Sequence, residues 1–197
     1  MSQVMVQIRR AAGTEVLTNA PARRVFAVVS FTLLTAFSAH VAVPVPGSMV
    51  PISMQTLMVI LSGLLLGPAL GASAQALYLG IGAMGAPVFV AGMGIPYLFG
   101  PTGGYLLAFP AAAAVAGGVA AAARGSTLQR TATIVLAAAL ASATVYAGGW
   151  AQLSLLSGDP GTAFRLGVLP FLLGDAAKIA VAVVLTNRLR RRALALL

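Results

Sequence analysis

The chain has 197 residues, of which 59% are hydrophobic and only 8% are charged. No Asp, Glu, Lys or Arg occurs from residue 25 to residue 123, a stretch of 99 positions, whereas one membrane-spanning helix needs only about 20. This excludes a soluble domain and predicts an all-α, polytopic membrane protein, because a helix satisfies its own backbone hydrogen bonds in lipid. The absence of cysteine excludes disulfides and thiolate metal sites.

The formal net charge of +9 comes from arginines grouped at 9–10, 23–24, 124–130 and 188–192. Clustered Arg and Lys mark the cytoplasmic flanks of membrane helices, so this pattern indicates topology rather than a nucleic-acid partner. It predicts that both termini and the 124–130 loop are cytoplasmic, which requires an even number of spans. We expect a cytoplasmic tail over residues 1–23 and a single transmembrane domain over residues 24–197.

Six spans are predicted in chain order, at about 25–43, 52–66, 69–84, 105–123, 131–156 and 168–186. Three prolines, Pro44, Pro46 and Pro51, predict an extended outer connection after the first span. Gly67-Pro68 predicts a tight inner turn between the second and third spans.

Glycine and proline recur from Gly85 to Gly104 and predict a long outer loop in place of a helix. Long loops in compact domains are often lids over a site. The backbone N–H groups of residues 100–105 are candidates to hold a carboxylate, the alternative being a simple turn between helices. Tyr146 and Trp150 predict an aromatic belt at the outer surface, with Trp150 against a ligand as the alternative.

Small residues at four-residue spacing let helix backbones approach closely in membranes. The fourth span carries two such pairs, Ala113 with Gly117 and Ala114 with Gly118. The first span carries Thr32 with Ala36. We interpret these pairs mainly as internal packing, and a face that docks a partner is the alternative.

The most informative residues are Asp175 and Lys178, which interrupt the apolar sixth span. A charge at the centre of a membrane helix costs about 2.5–3.5 kcal/mol on insertion scales, so such residues usually form a functional site. Residues three apart share a helix face, so both head groups can converge on one ligand. An acceptor beside a cationic donor suits a ligand with N–H and carbonyl groups on one edge, such as a cyclic urea. A structural ion pair is the alternative.

An enzyme is disfavoured by what the sequence lacks. Its only lysine, Lys178, precedes Ile179, so no phosphate-binding Gly-Lys-Ser/Thr loop exists and any ATP hydrolysis belongs to another subunit. One histidine, His40, and three scattered acids offer no catalytic or metal-binding cluster. We therefore expect no catalytic residue, no metal and no cofactor.

Several motifs together are highly specific: Val-Pro-Ile-Ser-Met-Gln-Thr-Leu at 50–57, Gly-Pro-Thr-Gly-Gly-Tyr at 100–105 and Gly-Asp-Ala-Ala-Lys at 174–178. In these residues the chain resembles the BioY family, the biotin-binding S components of energy-coupling-factor (ECF) transporters. The resemblance implies a six-helix S-component fold that captures biotin from outside the cell. It also implies a transmembrane coupling subunit and paired ATPase subunits as partners.

The resemblance further implies that Asp175 and Lys178 contact the ureido ring of biotin. The full candidate substrate-binding set is Asp175, Lys178, Gln55, Phe89, Tyr97, Gly103, Gly104 and Tyr105. The docking pattern of the first helix, usually Ala-x-x-x-Ala, corresponds here to Thr32 and Ala36. No Arg or Asn lies in residues 85–105 to hold the biotin carboxylate.

Two other functions compete with vitamin capture. A stand-alone facilitator or channel would need a continuous polar path, whereas the polar residues are concentrated in the outer half of the predicted bundle. A purely structural subunit would leave the cost of the charged pair unexplained. We therefore expect an integral protein of the bacterial cytoplasmic membrane that captures biotin.

Overall fold

The computed structural model describes residues 19–90 and 92–197, so most of the predicted N-terminal tail lies outside the described residues. The described chain is a helical bundle. Its helices are α1 (Ala20–Ala39), α2 (Gln55–Leu66), α3 (Pro68–Ala83), α4 (Gly94–Leu98), α5 (Gly103–Ala121), α6 (Thr127–Ser157), α7 (Pro160–Gly167) and α8 (Leu172–Leu196). Two short strands, β1 (Ala42–Val43) and β2 (Ile52–Ser53), pair antiparallel, with Ala42 opposite Ser53.

Four helical segments are long and apolar enough to cross a membrane: α1, α5, α6 and the stretch from Pro160 to Leu196. This confirms the prediction of an all-α, multi-pass membrane protein. The second and third predicted spans correspond to α2 and α3, with 12 and 16 residues. At 1.5 Å per residue they are about 18 and 24 Å long, shorter than the about 30 Å of the hydrocarbon layer.

Helix α2 lies at the centre of the bundle and packs against α1, α3, α5, α6 and α8. Ile60 and Leu64 on this helix are almost fully buried. The helix ends at Gly67, whose positive φ of 86° suits a residue without a Cβ, and Pro68 then starts α3. The predicted Gly67-Pro68 turn is therefore confirmed, and it brings α2 and α3 together as a short helical pair.

Helix α5 packs on this pair through one of the two predicted small-residue pairs. Ala113 and Gly117 are buried, and a Cβ on Gly117 would lie 2.4 Å from the backbone nitrogen of Pro68. Gly118, in contrast, is exposed, with nothing within 4 Å of its Cβ position. Internal packing is confirmed for the first pair and not for the second.

Thr32 does not lie on a surface that a partner can reach. Its side chain is 3% exposed, and its hydroxyl donates a hydrogen bond of 2.9 Å to the Ala74 carbonyl of α3. Ala36, four residues later, is half-buried. The structure thus places Thr32 in the contact between α1 and α3, and its role in docking a partner stays a prediction.

Several boundaries differ from those predicted. Helix α6 starts at Thr127, before the predicted 131, because Ser126 forms a capping box with Gln129. Helix α8 continues to Leu196 through the arginines after Thr186, because arginine is a good helix former and no proline or glycine follows. The short helix α7 was not predicted, and the 85–104 connection contains α4.

Candidate functional site

Asp175 and Lys178 form a buried ion pair near the start of α8. The Lys178 Nζ atom lies 2.7 Å from Asp175 Oδ1, and both side chains are less than one-tenth exposed. A 3₁₀ turn over Leu169–Phe171, which contains Pro170, precedes α8 and places Asp175 in its first turn. The positive end of the helix dipole favours a carboxylate at this position.

The Lys178 ammonium group uses all three of its donors within the chain. It donates to the Ser53 carbonyl of β2 at 2.6 Å, to Thr56 Oγ1 of α2 at 3.0 Å and to Asp175 at 2.7 Å. An ammonium group has three N–H donors, so a ligand that accepts from Lys178 must replace one of these partners. The short β pairing and the start of α2 therefore hold the cation.

The Asp175 carboxylate is held by two hydroxyl donors as well as by Lys178. Tyr146 of α6 donates to Oδ2 at 2.6 Å, and Thr56 Oγ1 lies 3.4 Å from Oδ1. A carboxylate has about four acceptor positions, so this arrangement leaves room for one more donor. Tyr146 was assigned to an aromatic belt from the sequence, whereas the structure places it in the cavity wall with its hydroxyl on Asp175.

The ion pair lies in the wall of a cavity with a volume of about 60 Å³. The polar part of the lining is Ser53, Gln55, Thr56, Tyr97, Thr102, Tyr105, Tyr146, Asp175 and Lys178. Apolar side chains, among them Ile52, Phe109 and Phe171, form the remainder. A mostly apolar cavity with a few convergent polar groups is typical of a small-molecule site.

Three further predicted site residues line this cavity. Gln55 is buried and donates from Nε2 to the Tyr78 hydroxyl at 2.5 Å. Tyr105 donates to the Gly167 carbonyl at 2.6 Å, and Tyr97 comes from α4. The structure thus brings five of the predicted residues to one cavity: Asp175, Lys178, Gln55, Tyr97 and Tyr105.

Phe89, Gly103 and Gly104 are close to the cavity but do not line it. Phe89 is buried and stacks on Tyr97, with 5.4 Å between the ring centroids, so it supports the lining from behind. A Cβ on Gly103 would collide with the Leu98 carbonyl oxygen, and one on Gly104 would lie 2.3 Å from the Gly148 carbonyl oxygen. The two glycines therefore permit close packing of α5 against the preceding turn and α6.

Sequence reasoning missed residues that hold the site in place. Gln152 of α6 donates from Nε2 to the carbonyls of Leu98 and Gly100, at 3.0 and 2.6 Å, and so fixes the turn before α5. Thr56 connects both members of the ion pair.

Trp150 donates to the Pro160 carbonyl and does not line the cavity. No group of three or more potential metal ligands occurs among residues 19–90 and 92–197.

A helical membrane bundle with a buried charged pair in the wall of a mostly apolar cavity is typical of membrane proteins that bind small solutes. A solved structure described as the S-component for biotin from an ECF-type ABC transporter shares this fold, with a TM-score of 0.75. The match covers 87% of this chain and 92% of the other chain at 23% sequence identity.

The family model for the BioY family matches residues 9–195. A "Probable biotin transporter BioY" of Pyrococcus horikoshii is 39% identical over 171 residues, covering 86% of this chain and 97% of the relative. A "Biotin transporter BioY" of Thermotoga maritima is 33% identical over 162 residues, covering 82% and 92% respectively. The chain belongs to the BioY family, a family of transporters.

Proposed function

We propose that this chain captures biotin as the substrate-specific subunit of an ATP-driven ECF uptake transporter. The observation that carries this proposal is the buried Asp175–Lys178 pair in a cavity wall, in a chain of the BioY family. The ureido ring of biotin carries two N–H donors beside one carbonyl acceptor. This edge complements a carboxylate next to an ammonium group.

Binding in this proposal exchanges one hydrogen bond of Lys178 and adds one to Asp175. The ureido carbonyl replaces one acceptor of Lys178, and a ureido N–H takes the remaining acceptor position of Asp175. The cavity of about 60 Å³ is far below the roughly 300–1,000 Å³ of typical small-molecule sites. Biotin therefore enters only when the segments that line the cavity move apart, and the proposed lid is the segment that runs from α4, which carries Tyr97, to the turn that carries Thr102.

The biotin carboxylate is assigned to the start of α5. Thr102 lines the cavity directly before this helix, whose first backbone N–H groups favour an anion. Among the described residues, Lys178 is the only arginine or lysine that lines the cavity. The backbone and the Thr102 hydroxyl are therefore the proposed partners of the carboxylate.

We further propose six spans with both termini in the cytoplasm, in the cytoplasmic membrane of a bacterial cell, and a single domain over residues 24–197. The four long segments are joined in this arrangement by α2 and α3 as two shorter spans. Arginines at 23–24, 124–130 and 188–192 mark one end of the bundle, and Arg165 of α7 lies at the other. The excess of positive charge at the first end supports its cytoplasmic location.

The proposed partners are one transmembrane coupling subunit and a pair of ATPases, and no cofactor is required. The lipid-facing side of α1 is the proposed docking face. It exposes Val25, Phe26, Leu33 and Phe37, each more than half exposed. Ala36 lies beside this face, whereas Thr32 points into the bundle.

Titration calorimetry on the purified chain in detergent tests the proposal. We expect tight binding at one biotin site per chain, because the charged groups are already assembled and their ordering cost is small. Desthiobiotin, which keeps the ureido ring, is expected to bind, and thiamin, which lacks this ring, is expected to give no heat. No heat with biotin, or equal binding of thiamin, would contradict biotin capture.

A further inference from the structure

A second cavity lies between the start of α6 and the last third of α8, far from the ion pair. We name it the arginine cleft, and its volume is about 570 Å³. Its polar lining is Thr127, Arg130, Thr186, Asn187, Arg190 and Arg191. None of these residues takes part in the proposed biotin site.

The cleft carries positive charge that no described carboxylate balances. Arg190 is half-buried, and its Nε atom donates to the Leu64 carbonyl at 2.9 Å, which fixes the guanidinium; among the described residues its terminal nitrogens have no hydrogen-bond partner. Within residues 19–90 and 92–197 the acidic side chains are Asp159 and Asp175, and neither lines the cleft. Three guanidinium groups on one cleft therefore favour an anion.

A buried hydroxyl in the lining of the cleft points to the same kind of ligand. Thr186 is fully buried, lines the cleft, and its Oγ1 atom has no hydrogen-bond partner among the described residues. An unpaired buried hydroxyl costs free energy, so a ligand oxygen that accepts from it would be stabilising. Nearby, Asn187 is held by a bond from its Nδ2 atom to Thr131 Oγ1.

The rest of the lining is apolar and includes Ala123, Ile134 and Leu194. The cleft thus combines cationic groups with an apolar wall, at the end of two helices that are long enough to cross a membrane. Anionic phospholipids present the matching combination: a net negative phosphate headgroup next to acyl chains, without the ammonium group that cancels the phosphate charge in phosphatidylcholine. Basic pockets between membrane helices bind such headgroups, and the planar fork of arginine suits phosphate oxygens.

We infer that the arginine cleft binds the phosphate headgroup of one anionic phospholipid, with Arg130, Arg190 and Arg191 on the phosphate and Thr186 donating to a lipid oxygen. The site goes beyond biotin capture and stands whether or not biotin binds. It makes the last turns of α8 a lipid-anchored element. A soluble phosphate can make the same contacts with the arginines, but it has no acyl chain to contact the apolar wall.

Native mass spectrometry of the full chain in neutral detergent tests this inference, with phosphatidylglycerol and phosphatidylcholine as competing probes. We expect one phosphatidylglycerol to be retained and phosphatidylcholine to be lost. The double variant R130Q/R191Q is expected to bind phosphatidylglycerol at least tenfold more weakly. The matched control R188Q/R192Q removes the same charge from exposed positions of α8 outside the cleft, and we expect it to bind like the parent chain.

Equal weakening in both double variants would show attraction by net charge alone and overturn the site. Inorganic phosphate that raises the thermal unfolding midpoint as much as phosphatidylglycerol would assign the cleft to a free anion and overturn the lipid inference. If R130Q/R191Q does not fold, the single variant R191Q at an exposed position is compared with R188Q. Equal lipid affinity of these two single variants would also overturn the inference.

Discussion

Replacing Asp175 by Asn is expected to weaken biotin binding by tenfold to about a hundredfold. Asparagine keeps the shape but removes the carboxylate that accepts from Lys178, Tyr146 and Thr56. Hydrogen bonds to a charged group contribute about 1.5–3 kcal/mol, and 1.4 kcal/mol corresponds to a factor of ten in affinity. Lys178 keeps two neutral acceptors in the variant, Ser53 and Thr56, but loses its carboxylate. Calorimetry with biotin measures the change.

Asp159→Asn is the matched control for this prediction. Asp159 lies in the turn before α7, away from the cavity, and hydrogen bonds from the Thr162 hydroxyl and the Gly161 N–H hold the pKa of its carboxyl below its usual value. Asp159 is therefore an ionised carboxylate outside the cavity, and its loss is expected to leave the biotin affinity unchanged. If Asp175→Asn folds and binds biotin like the parent chain, the Asp175–Lys178 pair is structural and the site assignment is wrong.

Concentrative biotin uptake is expected to be absent in cells that contain this chain but lack every ECF coupling and ATPase subunit. The chain has no Gly-Lys-Ser/Thr loop, so it has no phosphate-binding loop of its own for ATP. A proposed site that opens outward releases biotin inside only when another component reorients or opens the bundle. Labelled biotin inside and outside the cells measures the ratio, and co-expression of a coupling module is expected to raise it.

The same cells allow binding and transport to be measured separately. Membranes from the cells without the module are expected to retain biotin binding, and the Asp175→Asn variant in the same cells is expected to lose most of it. Fast accumulation of biotin above the external concentration without any coupling module would support a stand-alone transporter instead.

Much of the fold could be predicted from the sequence, because an uncharged chain in lipid must form helices that satisfy their own backbone hydrogen bonds. The 99 uncharged positions required helices, and Gly67-Pro68 located the turn between α2 and α3. The ends of the helices were harder to place, since α8 continues beyond the predicted span, which ends at 186, through arginines that also favour helix. Helix α7 is a single short amphipathic element, and its pattern is too brief to stand out.

The charged residues of the candidate site could be predicted from the sequence, whereas its neutral residues could not. Asp175 and Lys178 stood out because a charge is costly in a membrane helix. Tyrosine and threonine are ordinary residues in such helices, so Tyr146 and Thr56 do not stand out in the sequence. Only the packing of α6 and α2 against α8 brings them to the Asp175 carboxylate. Thr32 shows the same limit, because small-residue spacing does not reveal which face of α1 contacts α3.

The most direct test of the account is an experimental structure of this chain with biotin bound. We expect the ureido ring in the cavity between α2, α6 and α8, with an N–H group within about 3.2 Å of an Asp175 oxygen and the carbonyl at a similar distance from Lys178 Nζ. We also expect Lys178 to have released one of its present partners, Ser53 or Thr56. Biotin bound elsewhere, with the contacts among Lys178, Asp175, Thr56 and Ser53 unchanged, would contradict the account.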